Sequence, residues 1–271
     1  MDDLQPLGRL IHAIRPWLDE VVVVGGWAHR LFWLHDAAHP PAHAALRTLD
    51  ADLVFSDWNQ PAGDIGAALR AAGFSEELAG EHRPPTTHYH LGDTDGFYAE
   101  FLVPLRGSTI KRAGEEDATL RAAGVTAQRL RHVDVLLAKS WTVTLPPMTD
   151  ILAAPTLVLV ANPISFIAQK LLIGNVRPLG KRAQDTLYIH DTIELFGGSL
   201  ERLSITWRED VRPAMTNAVA SEIEELAASR FAVIDDVIRS AARTPADRSL
   251  EPDVLRRTCA LGLTAIFGPH A

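Results

Sequence analysis

Hydrophobic and polar positions change their period twice within the first 35 residues of the chain. Apolar residues recur at helical spacing over 4–18, which predicts an amphipathic helix. Four consecutive valines at 21–24 predict a buried strand, because β-branched residues favour strands. The pair Gly25-Gly26 predicts the end of that strand, and 27–34 resumes with residues typical of a helix. The opening therefore indicates a helix, a strand, a Gly-Gly turn and a second helix.

A second strand is predicted at residues 47–55, RTLDADLVF, where apolar and polar residues alternate. This alternation places Asp50 and Asp52 on one face of the strand. The preceding segment, 35–45, contains three histidines and a Pro-Pro pair. Because the prolines disrupt helical spacing and no cysteine lies nearby, this segment favours a loop over a zinc site.

The sequence predicts mainly strands in the middle of the chain. A short helix is predicted at 64–73, and a hairpin at 88–105 with Asp95-Gly96 in its turn. Further strands are predicted at 132–138, 141–145 and 156–160.

The pattern becomes helical after Asn162-Pro163. Asn is a favoured N-cap and Pro is favoured at the first helical position. Apolar residues follow at helical spacing up to Gly174, and most of the remaining chain favours helices. The fold class predicted is therefore α+β, with a mixed sheet flanked by helices and followed by a helical C-terminal domain. We expect residues 1–155 to form the α/β core and residues 156–271 the helical domain.

Composition narrows the function classes only slightly. The 271 residues carry a formal net charge of -8, which argues against a protein that coats nucleic acid through nonspecific phosphate contacts. The single cysteine, Cys259, excludes an intrachain disulfide and suits a reducing compartment. The first residues lack the pattern of a signal peptide, and no apolar run is long enough for a membrane span. We therefore expect a cytoplasmic protein with no membrane partner.

The candidate chemistry begins with the two aspartates of the predicted strand. Residues two apart on a strand have Cα atoms about 6–7 Å apart, at a rise of about 3.3 Å per residue. Asp50 and Asp52 can therefore share a divalent cation, whereas without one their charges would repel. Magnesium suits this arrangement, because it binds a few carboxylates and takes further ligands from substrate phosphates. We therefore predict Mg²⁺ as the cofactor.

Two further features would complete such a site. Gly25 and Gly26 leave room for a phosphate group to approach backbone N–H groups at a helix N-terminus. Glu100 lies between apolar neighbours, so its side chain is predicted to leave the sheet on the opposite face and to supply a third carboxylate. It would act as a metal ligand or a general base. Asp134, in a similar alternating context, is the rival for this role.

The segments VVVVGGWAHRL (21–31) and RTLDADLVF (47–55) together resemble the signature of the polymerase-beta-like nucleotidyltransferase superfamily. That signature is a hydrophobic strand, Gly-Gly or Gly-Ser, a helix, and then Asp-x-Asp between apolar residues. The resemblance implies the nucleotidyltransferase fold, with Asp50 and Asp52 as metal ligands. Gly26 departs from the many members that have Ser at this position.

The segment NPISFIAQKLLIGNVRPLGKRAQDTLYIHDTIELF (162–196) resembles the AbiEii-type toxins and the related MenT-type enzymes. By motif position the resemblance implies that Lys170 contacts the nucleotide phosphates and that Asp185 belongs to the active site. Asp191 resembles a second aspartate of the same stretch. Arg182 lies in a small basic cluster that could contact phosphates or could simply begin a solvated helix.

The function predicted is transfer of a nucleoside monophosphate from a nucleoside triphosphate to an acceptor hydroxyl. The AbiEii-like segment favours a tRNA or protein acceptor and a cognate antitoxin. The opening segment also resembles aminoglycoside nucleotidyltransferases, which favours a small-molecule acceptor. An alternative from another class is a catalytically silent module that binds a nucleotide or a partner. The sequence alone leaves these alternatives open.

Overall fold

A computed structural model describes residues 4–55, 62–80, 85–92, 96–105, 107 and 118–269. The chain divides into two compact units. The first comprises residues 1–34 and 47–161, and the second comprises 35–46 and 162–271. The division into domains 1–155 and 156–271 stays a prediction.

The first unit combines helices with the whole sheet. Its described helices are α1 (Gln5–Ala13), α2 (Gly25–Phe32), α3 (Ile65–Ala71) and α4 (Val133–Leu136). Its described strands are β1 (Val21–Val24), β2 (Asp50–Phe55), β3 (Phe74–Ala79), β4 (Thr86–Leu91), β5 (Tyr98–Pro104), β6 (Thr119–Ala122), β7 (Val125–Leu130), β8 (Trp141–Leu145) and β9 (Thr156–Val160).

The described strands form one mixed sheet in the order β3-β4-β5-β2-β1-β9-β8. The central strand β2 pairs antiparallel with β1 and parallel with β5. β1 is in turn parallel to β9, and β4 and β5 form the predicted antiparallel hairpin. β7 pairs with the last residues of β5 and carries β6 beside it. The mixed pairing and the flanking helices confirm the predicted α+β class.

The two faces of β2 have different environments because of its alternation. Ala51 and Leu53 are fully buried on one face, where the rings of Phe55 and Phe101 stack with centroids 5.6 Å apart. The other face carries Val54 in an apolar cluster. That cluster consists of Val22, Val24, Val54, Leu102, Val133, Leu136 and Ala161. The end of this second face beyond the cluster carries the two aspartates.

The segment 132–138 differs from its predicted strand. Residues Val133–Leu136 form the short helix α4, while the strand lies just before it at Val125–Leu130. The helix buries Val133 and Leu136, which lie three residues apart and meet the apolar cluster. A short apolar run fits a buried strand and a buried helical turn equally well, so its period alone could not separate them.

The second unit is helical. Its longer helices are α5 (Pro163–Ile173), α6 (Leu179–Leu195), α7 (Leu200–Thr206), α8 (Asn217–Ser229), α9 (Asp236–Arg243) and α10 (Pro252–Phe267). The N-cap predicted for the first of them is confirmed, since Asn162 Oδ1 accepts a hydrogen bond from the Ser165 N–H at 2.9 Å. Gly174 follows the helix as its C-cap.

The first helix is shorter than the predicted 4–18, since α1 ends at Ala13 and a separate 3-10 turn follows at Arg15–Trp17. Other predicted starts and stops shift by a few residues. α2 begins at Gly25 itself rather than after the Gly-Gly pair. α3 begins after Asp64, whose carboxylate accepts a hydrogen bond from the Ala67 N–H. Asp95 of the predicted hairpin turn lies outside the described residues. Within the part of the chain that is described, no helix has both the length and the apolar character that a membrane span requires.

Candidate active site

Asp50 and Asp52 leave β2 on the same face, as the alternation predicts, and both are half-buried. The Asp50 carboxylate accepts a hydrogen bond from the hydroxyl of Thr48. Ala51 between them is fully buried on the opposite face. The strand is therefore held by its apolar side while two carboxylates project from the other.

The pairing register of β2 with β5 places Glu100 beside Asp52. Asp52 pairs with Glu100 and Asp50 pairs with Tyr98 in this parallel ladder. Side chains paired across neighbouring strands lie on one face with Cβ atoms about 4.5–5.5 Å apart. We call Asp50, Asp52 and Glu100 the carboxylate patch. The rival, Asp134, lies instead in the exposed part of the first turn of α4.

Both the backbone conformation of Gly25 and its lack of a side chain allow it to lie close to Asp52. Its φ is +61°, in the left-handed region that costs an L side chain roughly 1–2 kcal/mol. A Cβ atom built at this position would overlap the Asp52 carboxylate. The close approach follows from the ladder, because Val24, the residue before Gly25, pairs with Asp52. Gly25 therefore lets the first turn of α2 lie against the carboxylate patch.

The pKa of the Tyr98 hydroxyl is affected by the negative charge of the patch. Burial raises the pKa of its hydroxyl to about 12, and the charges of Asp50, Glu100 and Asp52 add to the shift. The hydroxyl consequently remains protonated at neutral pH and adds no charge. The negative potential that acts on Tyr98 is of the kind a bound cation would relieve.

Two histidines of β4 lie on the same face as the patch and were not singled out from the sequence: His88 contacts a patch carboxylate and His90 does not. His88 Nε2 lies 3.2 Å from Glu100 Oε2, and His90 Nε2 lies 2.8 Å from Glu77 Oε2. Both imidazoles lie beside the ring of Tyr98, at centroid distances of 4.9 Å for His88 and 5.2 Å for His90. The alternation of TTHYHL in a hairpin was the available signal, since it places both histidines on the face of Glu100.

The chemical types of the side chains in the patch suit a divalent cation. Oxygen donors from a few carboxylates are the protein ligands that Mg²⁺ takes. Asp50 and Asp52 supply two of them from one strand, and Glu100 lies in register beside Asp52. The opening of α2 at Gly25 adds backbone N–H groups at a helix N-terminus, which favour a phosphate.

The other predicted site residues belong to the second unit. Lys170 on α5 is 8% exposed and its Nζ lies 2.8 Å from Asp185 Oδ1 on α6. Arg177 Nη1 lies 2.8 Å from the other oxygen of Asp185. The rings of Phe166 and Tyr188 lie 5.2 and 5.3 Å from the Lys170 ammonium, within cation–π distance. The structure thus joins Lys170 and Asp185 in one buried ion pair.

Arg182 lies near the start of α6 and is half-buried. It is close enough to act on Arg230, whose pKa is lowered by burial and next by the charge of Arg182. Two guanidinium groups near each other in a partly buried setting create a local positive potential. Such a potential suits a phosphate group, and the aspartates at 185 and 235 offset part of it.

A separate group of potential ligands lies elsewhere in the second unit. One ligand atom each from His43, Asp191 and Glu194 come within 4.8 Å of one another. Asp191 is fully buried, and its Oδ1 lies 2.6 Å from Arg248 Nη2 and 2.9 Å from His190 Nδ1. Arg248 therefore already counters the charge of Asp191, and we assign no ion to this group.

Comparison with known proteins gives one finding on the family. A family model described as nucleotidyltransferase matches residues 5–212, which cover the sheet with the carboxylate patch and the helices that carry Lys170 and Asp185. Searches of the curated proteins and of the solved structures gave no match.

Proposed function

The chain belongs to the nucleotidyltransferase family and is an enzyme of that kind, and we propose that its carboxylate patch is the metal site for nucleotidyl transfer. Asp50, Asp52 and Glu100 would hold Mg²⁺. One observation carries the proposal: the parallel ladder sets Glu100 beside Asp52, with Asp50 two residues away on the same face. Carboxylates in such proximity repel one another, and a divalent cation bound among them would relieve that repulsion.

When bound, the cation would neutralise charge that develops on the phosphates during transfer. The protein's own residues supply the rest of the site. Gly25 keeps the first turn of α2 free of a side chain at the point nearest Asp52, which leaves backbone N–H groups accessible to the triphosphate. Gly26 is the next residue of this turn and would take part in the same contact.

The reaction proposed is a single displacement at the α-phosphorus of a nucleoside triphosphate. The acceptor oxygen forms a bond to this phosphorus, while the bond from the phosphorus to the oxygen bridging to the β-phosphate breaks. Pyrophosphate leaves with the electron pair of that bond. The proton of the acceptor hydroxyl passes to a carboxylate of the patch.

Lys170 and Asp185 are proposed as nucleotide-site residues on the strength of the AbiEii-like resemblance, and Arg182 because it belongs to a small basic cluster. The burial of the Lys170–Asp185 pair supports a defined position for the lysine ammonium. The same resemblance supports a tRNA or protein hydroxyl as acceptor, and a cognate antitoxin as partner. Incubation with an α-labelled triphosphate and separate pools of tRNA and protein would distinguish the two acceptors by where the label is found.

The decisive test of the metal site is calorimetric titration of the four nucleoside triphosphates with and without Mg²⁺. Wild type is compared with Asp52→Asn and with Asp134→Asn, which removes a carboxylate of the same unit outside the patch. We expect Mg²⁺-dependent binding in wild type and Asp134→Asn, and its loss in Asp52→Asn. Equal binding by Asp52→Asn, or loss only in Asp134→Asn, would refute the assignment.

A further inference from the structure

Three neighbouring strands align one side chain each across the sheet. Asp52 on β2 pairs with Glu100 on β5, and Glu100 pairs with His88 on β4. The row therefore runs Asp52, Glu100, His88, with the glutamate in the middle. This glutamate faces a like charge on one side and an imidazole on the other.

The contact between His88 and Glu100 restricts the glutamate. His88 Nε2 lies 3.2 Å from Glu100 Oε2, and both side chains are largely buried, at 22% and 19% exposure. A glutamate side chain has several rotatable bonds and loses entropy when it is held in one position. Repulsion from Asp52 favours rotamers that swing the carboxylate towards solvent. The contact with the His88 imidazole on β4 opposes that movement.

His88 is itself held in place. Its ring stacks on Tyr98 with centroids 4.9 Å apart and an interplanar angle of 22°. Tyr98 and Glu100 both lie on β5, so the ring that supports His88 comes from the same strand as Glu100. The imidazole can therefore hold Glu100 Oε2 in a fixed position, and a carboxylate has a second oxygen with which to bind a cation.

We propose that His88 is a positioning residue that holds Glu100 in its metal-binding orientation. The inference rests on the proposed function, since it assumes that Glu100 is a ligand. Removing a residue that orients a metal ligand from outside the coordination sphere commonly lowers metal affinity about 10- to 100-fold. No proton transfer by His88 is invoked, and its effect acts through the glutamate.

His90 provides a matched control on the same strand. It lies on the same face two residues away and also adjoins the Tyr98 ring, at 5.2 Å. Its carboxylate contact, however, is with Glu77 on β3, with Nε2 and Oε2 2.8 Å apart. Replacing His90 perturbs the same strand and the neighbouring rings of Tyr98 and His88, but removes neither atom of the His88–Glu100 contact.

The test measures Mn²⁺ binding without turnover, from the electron paramagnetic resonance signal of free Mn²⁺ at fixed nucleoside triphosphate, relative to the same triphosphate without protein. We expect His88→Leu to weaken binding about tenfold, and His90→Leu to stay within about twofold of wild type. His88→Gln should recover most of the affinity, because its amide nitrogen reaches about as far as Nε2. His88→Asn, whose amide is one carbon shorter, should not.

Each outcome bears on one claim. Wild type that binds no Mn²⁺ refutes the proposed metal site itself. Wild type that binds, with Asp52→Asn deficient but His88→Leu normal, overturns the role of His88 alone. Equal losses in His88→Leu and His90→Leu overturn it as well, since they would indicate general damage to this strand. If His88→Leu fails to fold, the Gln and Asn variants decide: equal affinity in the two overturns the role.

Discussion

The acidic residues of the two units have different partners. In the first unit, Asp50 accepts a hydrogen bond from a neutral hydroxyl and Glu100 contacts an imidazole, and both carboxylates are half-buried. In the second unit, Asp185 is almost fully buried between the ammonium of Lys170 and the guanidinium of Arg177. Asp185 is therefore neutralised by two cationic side chains of its own unit, whereas the partners described for Asp50 and Glu100 are a hydroxyl group and an imidazole.

This difference predicts opposite responses to the loss of a charge. Removing a charge from the carboxylate patch relieves repulsion, so the free energy of unfolding should rise or stay the same while function is lost. Removing a charge from the buried pair leaves its partner uncompensated, so stability should fall. Mutations in the carboxylate patch should therefore reduce activity without reducing stability, whereas mutations in the buried pair should reduce stability.

The largest effect is expected for Asp52→Asn. Nucleotidyl transfer should fall about 10³-fold, as when one electrostatic stabiliser of a transition state is removed. The melting temperature should not fall. Pyrophosphate release and thermal unfolding measure the two quantities on the same sample, with Asp134→Asn as the control. A melting temperature well below that of wild type would show that Asp52 has a structural role and would contradict the comparison.

The second effect is a loss of stability in Asp185→Asn. Breaking a buried ion pair by removing one partner costs about 3–5 kcal/mol, because the other charge stays buried. Chemical denaturation measures this cost. A double variant, Lys170→Met with Asp185→Leu, replaces both partners by apolar groups and should recover most of the stability. If Lys170 contacts phosphates as proposed, nucleotide binding should not recover, and full recovery of binding would contradict that role.

The carboxylate patch could be predicted from the sequence in part. The period-two alternation of RTLDADLVF set Asp50 and Asp52 on one face, and the apolar neighbours of Glu100 did the same for that residue. Glu100 was expected to join them, but the parallel pairing of β2 with β5 that brings it beside Asp52 could not be predicted from local patterns, because the two strands are distant in sequence. His88 was missed for the same reason, since its relation to Glu100 exists only in the register of the hairpin.

The second unit shows a different limit. Helical periodicity predicted α5 and its caps from local residues, but the pairing of Lys170 with Asp185 joins two helices across an intervening turn. Only the family resemblance pointed to these two residues. Local patterns also failed at α4, where the apolar residues around Asp134 were read as a strand and form a helical turn.

The third effect concerns Gly25. Gly25→Ala should lower transfer about 100-fold, since a displacement of about 1 Å in a catalytic group has that cost. Gly73→Ala is the matched control, because Gly73 also has a positive φ, +89°, but has no atom within 4 Å of an added Cβ. Both variants should lose similar stability from backbone strain. Comparable losses of activity in the two would show that strain, and not the approach to Asp52, explains the effect.

The last prediction concerns Cys259, a buried thiol on α10 of the second unit. Burial raises the pKa of this thiol well above 9, and the charges of Asp191 and Glu194 add to the shift. The stability this adds is present below the unfolded pKa, about 8.5, and is lost as pH rises towards the folded pKa. At pH 8 the folded thiol should therefore react with iodoacetamide only through opening of the second unit.

The labelling rate of Cys259 then compares the two units directly. Asp185→Asn should label faster than wild type in proportion to its loss of stability, because the thiol becomes accessible when the second unit opens. Asp52→Asn should label within about twofold of wild type, since its change is confined to the sheet and relieves repulsion there. Mass spectrometry of the alkylated protein measures both rates. Faster labelling in Asp52→Asn would mean that the carboxylate patch stabilises the second unit, and the separation of function from stability would fail.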